Sequence, residues 1–262
     1  MSVVDESLAM VRRYLEELRD SGVDGLPLGL HDRQEPAPQP QELPAIQAAV
    51  PEASGAEAPQ GSAESLVPAV GTETLEDIRA VLGDCHRCQL GDQRTNLVYG
   101  VGSPRARVVF VGEAPGRDED LQGEPFVGEA GQLLTKIIQA MGLQRQDVYI
   151  CNVLKCRPPG NRNPQPEEVE ACSPYMLRQV KAIGPEVVVA LGTFAAQTLL
   201  QSREPISKLR GQFHDYHGIP LMPTFHPAFL LRSPEKKREV WIDIKLVMER
   251  LGLAIPAAKG KE

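Results

Sequence analysis

The sequence predicts an α/β protein: a three-layer α/β/α sandwich around a central, mostly parallel four-stranded sheet. Three observations predict it. Four short, continuous apolar runs recur between residues 107 and 225. Helical segments separate them, so each connection is long enough to be a crossover and neighbouring strands can run parallel. Polar residues of unusual type gather just past the end of each run, where ligands bind in open parallel sheets.

Taken in order, the apolar positions Val4, Leu8, Val11, Leu15 and Leu18 predict a helix over 4–19, ended by Gly22 and Gly25. Residues 31–70 hold seven prolines among Gln, Ala, Glu and Ser, and no aromatic residue occurs between Tyr14 and Tyr99. Such a stretch buries too little apolar surface to offset its ordering entropy, which predicts a disordered linker over 31–75. The folded domain is expected over 76–252 and a flexible tail over 253–262. Its strands are 107–112 (RVVFVG), 147–152 (DVYICN), 186–191 (EVVVAL) and 219–225 (IPLMPTF). Helices are expected near 130–141, 166–183, 193–201 and 235–251. Glu113, Asn152, Gly192-Thr193 and His226-Pro227 then lie at or just past strand ends, along one edge of the sheet.

Charge divides the chain. Residues 1–75 carry 13 acids and 4 bases, the remainder 22 acids and 24 bases, so the net −7 belongs to the N-terminal segment and a nucleic-acid partner is not excluded. No run approaches the ~20 apolar residues that span a bilayer, and the N-terminus lacks the pattern of a signal peptide. A cytoplasmic protein without membrane attachment is the expectation. Five cysteines favour a metal or a reactive thiol over a disulfide framework.

The stretch GEAPGRDEDLQGEPFVGEAG, Gly112 to Gly131, looks at first like a phosphate loop, because glycines punctuate a strand-to-helix connection. Its acids are wrong for phosphate: Glu113, Asp118, Glu119, Asp120, Glu124 and Glu129 face a single base, Arg117. The cysteines form a second pattern. Cys85 and Cys88 make a CxxC, joined later by Cys156 and Cys172. Four thiolates complete a metal centre, but spacing does not separate zinc from an iron–sulfur cluster. A thioredoxin-type redox pair is disfavoured, because this CxxC precedes the sheet. Cys151, inside an apolar strand, reads as a core residue.

CHRCQL, GEAPGRDEDLQGEPFVGEAGQLL, NVLKCRPPGNRNP, VALG and HPAFLLR, in this order, resemble the family 4 uracil-DNA glycosylases of bacteria and archaea, over about residues 76–250. The resemblance implies the uracil-DNA glycosylase fold and a 4Fe-4S cluster on Cys85, Cys88, Cys156 and Cys172. It also implies removal of uracil from single- or double-stranded DNA, leaving an abasic site for base excision repair. The matching pocket positions are Gly112, Ala114, Phe126 and Asn152. Asn152 suits the base-reading role, since one amide accepts from uracil N3–H and donates to O4, whereas cytosine presents the reverse. Phe126 matches the stacking aromatic.

His226 is the expected donor to O2 as charge develops on the leaving base. Glu119 and Glu113 match polar loop positions beside the developing sugar cation. Ala114 stands where other uracil glycosylase families carry their water-activating Asp, which leaves the water to a glutamate, with Glu119 preferred. The remaining acids read as a solvated loop face. The DNA contacts expected are Lys155, Arg157 and Arg162 around the third cysteine and Lys208, Arg210 and Arg232 further on, with Leu230 or Leu231 as a wedge in the gap left by the flipped base.

No lysine in the motif loops is placed as a Schiff-base nucleophile, which predicts a monofunctional enzyme. The competing readings are an iron–sulfur redox or electron-transfer protein, which leaves the acidic loop and HPAFLLR unexplained, and a repair adaptor working through residues 1–30. A monomer is expected, with a protein partner docking on residues 1–30.

Overall fold

The computed structural model describes residues 73–256. The expected helix over 4–19, nearly all of the expected linker and the end of the expected tail lie outside the described residues.

The described chain opens with α1 (Leu75–Leu82), whose Thr74 and Asp77 close a reciprocal capping box. There follow β1 (Val101–Gly102) and β2 (Val108–Gly112), then α2 (Arg117–Gln122) and α3 (Glu129–Ala140). Next come β3 (Tyr149–Asn152), α4 (Pro166–Ile183), β4 (Val187–Leu191), α5 (Thr193–Leu200) and α6 (Ile206–Leu209). The chain closes with β5 (His214–Tyr216), β6 (Ile219–Thr224), α7 (Pro227–Arg232) and α8 (Lys237–Arg250).

The four expected strands form the parallel centre of the sheet, in the order β3-β2-β4-β6. Two edges were not expected: β1 and β5 add antiparallel strands and make the sheet six-stranded and mixed. Their segments, VG and HDY, are too short and too polar to carry an apolar period. The central strands are apolar throughout because both faces are covered. Val109, Val111, Val188 and Ala190 pack with residues of α1, α4 and α5. Val108, Phe110, Val187 and Val189 pack with residues of α3, α7 and α8.

Four helices were also missed: α1, α2 and the short α6 and α7. The TLED of the α1 start is a readable cap. The acidic loop contains α2, which suits its residues: Asp118, Glu119 and Asp120 fall in the first turn, where the helix dipole favours negative charge, and Gly123 ends it in the left-handed region. For the site, the decisive feature is register. Gly112 pairs with Asn152 and Leu191 with Thr224 at the carboxyl ends of the parallel strands, so their loops open side by side.

Candidate active site

The acidic loop is built by its own carboxylates. Glu119 accepts from the backbone N–H groups of Gly116 (3.1 Å), Val127 (2.9 Å) and Gly128 (3.1 Å), tying the loop's entry to its exit. Asp120 is buried and accepts from the N–H groups of Thr95 and Asn96. Asp120 therefore does not belong to the solvated face expected of it, whereas Asp118, Glu124 and Glu129 are exposed.

Between these anchors Phe126 sits at φ 55°, a left-handed conformation costly for an aromatic residue. The surroundings hold it there. Arg145 donates to the Pro125 carbonyl (2.9 Å), the next two N–H groups bond Glu119, and Gly131 leaves room for the Phe126 carbonyl, which a Cβ would meet at 1.8 Å.

A cavity of about 480 Å³ opens over this loop, walled by Glu113, Ala114, Phe126, Asn152, His226 and Arg232 among others. Asn152 is buried at the end of β3, and its Oδ1 has no hydrogen-bond partner. A buried acceptor without a donor costs roughly 1–3 kcal/mol, so in a folded protein it marks a place kept for one. Gly112 makes room for it: a Cβ there would stand 2.3 Å from Asn152 Oδ1 and 2.6 Å from Phe126 Cζ. The Phe126 and His226 ring centroids are 5.5 Å apart with the planes inclined by 31°, so the two form adjacent walls.

His226 caps α7, its Nδ1 accepting from the Ala228 N–H at 3.1 Å. That bond fixes the tautomer, leaving Nε2 to carry the proton. Burial lowers the imidazole pKa to about 4, with Arg232 pushing the same way and Glu119 opposing. The ring is thus a neutral N–H donor at physiological pH. Gly192 crowds it closely, since a Cβ there would approach His226 Cβ to 2.9 Å.

Glu113 lines the same cavity, and burial raises its carboxyl pKa. Its side chain has no hydrogen-bond partner among the described residues, in contrast to Glu119, whose two oxygens are both occupied by the loop. Of the two glutamates at the cavity, the one expected to hold the water, Glu119, is engaged by the loop, and Glu113 is the one without a partner among the described residues.

On the opposite side of β3, Cys85, Cys88, Cys156 and Cys172 converge with Lys155 on one small, mostly apolar pocket. Three of the sulfurs accept hydrogen bonds: Cys85 from Arg87 (3.3 Å), Cys156 from Arg94 (3.4 Å) and Cys172 from the Lys155 backbone N–H (3.3 Å). Among the described residues no three His, Cys, Asp or Glu side chains are spaced to grip a single ion. Cys151 is fully buried in the core, as its strand position implies.

Residues 99–245 match the model of the uracil DNA glycosylase superfamily. A type-4 uracil-DNA glycosylase of Archaeoglobus fulgidus is 47% identical over 192 residues, covering 70% of this chain and 96% of the relative. The chain belongs to the type-4 uracil-DNA glycosylase family. Type-4 enzymes of Thermotoga maritima (47% over 177 residues, 66% of this chain and 92% of the relative) and Saccharolobus solfataricus (40% over 188 residues, 68% and 87%) are similar over the same region.

Several basic and wedge residues expected to touch DNA in this family member are placed elsewhere by the tertiary structure. Lys155 is 1% exposed, and its Nζ donates to the Asn152 carbonyl at 2.8 Å. Arg210 is held by Asp243 (2.9 Å) and Glu239 (3.1 Å), with Asp243 fully buried and also accepting from Thr224 Oγ1 at 2.7 Å. Lys155 is thus shielded from solvent, and the Arg210 guanidinium is engaged by two carboxylates. Arg162 forms a two-point pair with Glu168 while lining the cavity.

Of the two leucines, Leu230 is 1% exposed and belongs to the core, whereas Leu231 is 42% exposed. Arg157 donates to Asn161 Oδ1 (2.7 Å), Lys208 pairs with Glu204 (2.9 Å) at the surface, and Arg232 is exposed at the cavity mouth. The Thr224–Asp243–Arg210 network escaped the sequence reading. Its signal was present: Asp243 interrupts the apolar stripe Val240, Ile244, Val247 of α8.

Proposed function

We propose that the chain is a monofunctional uracil-DNA glycosylase that takes uracil out of the stack and hydrolyses the bond between C1′ and N1. The observation that carries this reading is the orphaned Oδ1 of Asn152, a buried acceptor at the cavity wall that uracil N3–H would satisfy. Cytosine offers an unprotonated N3 there and leaves the acceptor unpaired, which supplies discrimination. Flipping the nucleotide costs a few kcal/mol, recovered in part by stacking on Phe126.

As the bond breaks, its electron pair moves onto uracil and charge develops on O2. The Nε2–H of neutral His226 is the donor available to it, and it strengthens as the charge grows. Glu113 faces the developing sugar cation, orients the water whose oxygen bonds to C1′, and takes its proton. Glu119 keeps Phe126 and the loop in place.

Arg157, Lys208 and Arg232 make phosphate contacts, Arg162 serves from the rim, and Leu231 fills the vacated stack. Cys85, Cys88, Cys156 and Cys172 hold a 4Fe-4S cluster. Supporting this are the convergence of four thiols, the Arg94, Arg87 and backbone donors aimed at their sulfurs, and the buried ammonium beside them. A cluster takes one thiolate per iron and needs no close grip on one ion. The cluster pins the segment 153–172 and supplies no step of the hydrolysis. We further propose a cytoplasmic monomer with a protein partner for residues 1–30, a segment outside the described residues. Among the described residues no helix is long and apolar enough to cross a membrane.

The test is incubation with end-labelled oligonucleotides carrying one uracil, thymine or hypoxanthine, followed by alkali. Cleavage at uracil only after alkali, abolished or strongly slowed in His226→Ala and Glu113→Gln, is the expected result. Cluster-loaded protein that leaves uracil untouched would overturn the reading in favour of a redox role.

A further inference from the structure

Lys155 was expected at the DNA surface and lies instead at the junction of the two sites. Its side chain is buried with 1% exposure and lines the cysteine pocket. Among the described residues no carboxylate stands within ion-pairing distance of its Nζ. An ammonium without a counter-charge is costly to bury, and the groups lining the same pocket that are able to carry negative charge are the thiols of Cys85, Cys88, Cys156 and Cys172.

The same residue makes two directed bonds. Its backbone N–H donates to Cys172 Sγ at 3.3 Å, and its Nζ donates to the backbone carbonyl of Asn152 at 2.8 Å. Asn152 ends β3, and the peptide that follows it is held on its N–H side by the neighbouring strand, the Val153 N–H donating to the Gly112 carbonyl at 3.0 Å. The Nζ bond secures the carbonyl side of the same peptide plane, so Lys155 and the Gly112 carbonyl together set the direction in which the Asn152 side chain leaves the strand.

We infer that Lys155 is a positioning residue that couples the cysteine centre to base recognition: its ammonium balances the thiolates and, through the Asn152 carbonyl, sets the amide edge that reads uracil. This rests on the proposed uracil pocket and cluster. Coupling of this kind is reciprocal. If an intact centre favours the uracil-reading geometry, uracil in the pocket must in turn stabilise the centre.

The experiment follows loss of the visible cluster absorbance of the full-length, cluster-loaded protein in an iron chelator, with and without saturating free uracil, and measures uracil affinity by calorimetry. In the wild type, uracil is expected to slow cluster loss about fivefold or more, the lower range of typical site-to-site coupling. Lys155→Met, which removes the charge and the donor at similar volume, is expected to take up the cluster and melt cooperatively. Its uracil affinity should fall about tenfold and its protection by uracil should vanish, with Lys155→Arg recovering part of both.

Wild-type protein that binds uracil yet loses its cluster at an unchanged rate overturns the inference, as does Lys155→Met with wild-type protection. The wild-type comparison needs no variant, so a misfolded Lys155→Met does not shelter the idea. A wild type that binds no uracil, or that shows no cluster spectrum, overturns the underlying pocket or cofactor reading, and the coupling falls with it.

Discussion

His226 gives the sharpest prediction, because the same hydrogen bond that fixes its tautomer also makes it a reporter of pH. Replacing it with Asn keeps an oxygen that can cap α7 through the Ala228 N–H, but removes the titration and the Nε2–H. In the folded protein burial holds the imidazole pKa at about 4, against 6.5 when exposed. The unfolded chain therefore binds more protons between these values, and native stability falls as pH drops through that window. The gap corresponds to an upper bound of about 3 kcal/mol, and the ring's partial exposure brings the expected figure to roughly 2 kcal/mol.

Urea melts of wild type and His226→Asn at pH 7, 5.5 and 4 measure it directly. The variant should lose about 2 kcal/mol less stability between pH 7 and 4 than the wild type. At neutral pH its excision rate should be lower by about 10²–10³, the usual effect of deleting one donor to a developing oxyanion. Parallel stability curves for the two proteins would refute the assignment of a neutral, buried imidazole. An unchanged rate would refute its role at O2.

Four further outcomes follow from the loop and the core. Glu113→Gln should slow excision by about 10²–10⁴. It should also flatten the acidic limb of the pH–rate profile, which in the wild type falls as pH drops through the raised Glu113 pKa. Glu119→Gln should lower stability by about 1–3 kcal/mol through its three backbone donors and raise KM as Phe126 loosens; an unchanged melting temperature would contradict its role as a clamp. Gly112→Ala, whose Cβ would press on Asn152 Oδ1 at 2.3 Å, should abolish uracil binding while leaving the cluster spectrum intact. Arg210→Met strands the buried Asp243 and should cost about 3–5 kcal/mol, yet the salt dependence of DNA binding should keep its slope. A slope reduced by about one contact would return Arg210 to the DNA surface.

Features encoded by local pattern or residue chemistry were legible in the chain before folding. The four parallel strands are continuous apolar runs because helices cover both faces. Their ends therefore announced Glu113, Asn152 and His226 as one edge before any coordinates. The four cysteines that converge on one pocket were separable from Cys151 because only Cys151 sits inside an apolar strand.

Tertiary structure decided what each charge is for. Glu113 and Glu119 are the same residue type six positions apart, yet one faces the cavity free and the other is spent on three N–H groups brought in by the fold. Lys155 and Arg210 read as phosphate contacts because basic residues usually lie at the surface; their burial depends on Asn152, Asp243 and the thiols, partners that sequence separation hides. Leu230 and Leu231 differ only by one step around a short helix, and only the packing of α7 on α3 and α8 chooses which is buried. Local sequence fixes the period of an element and the chemistry of its residues. Which partner satisfies a charge is a long-range choice, made when the strand ends close against one another.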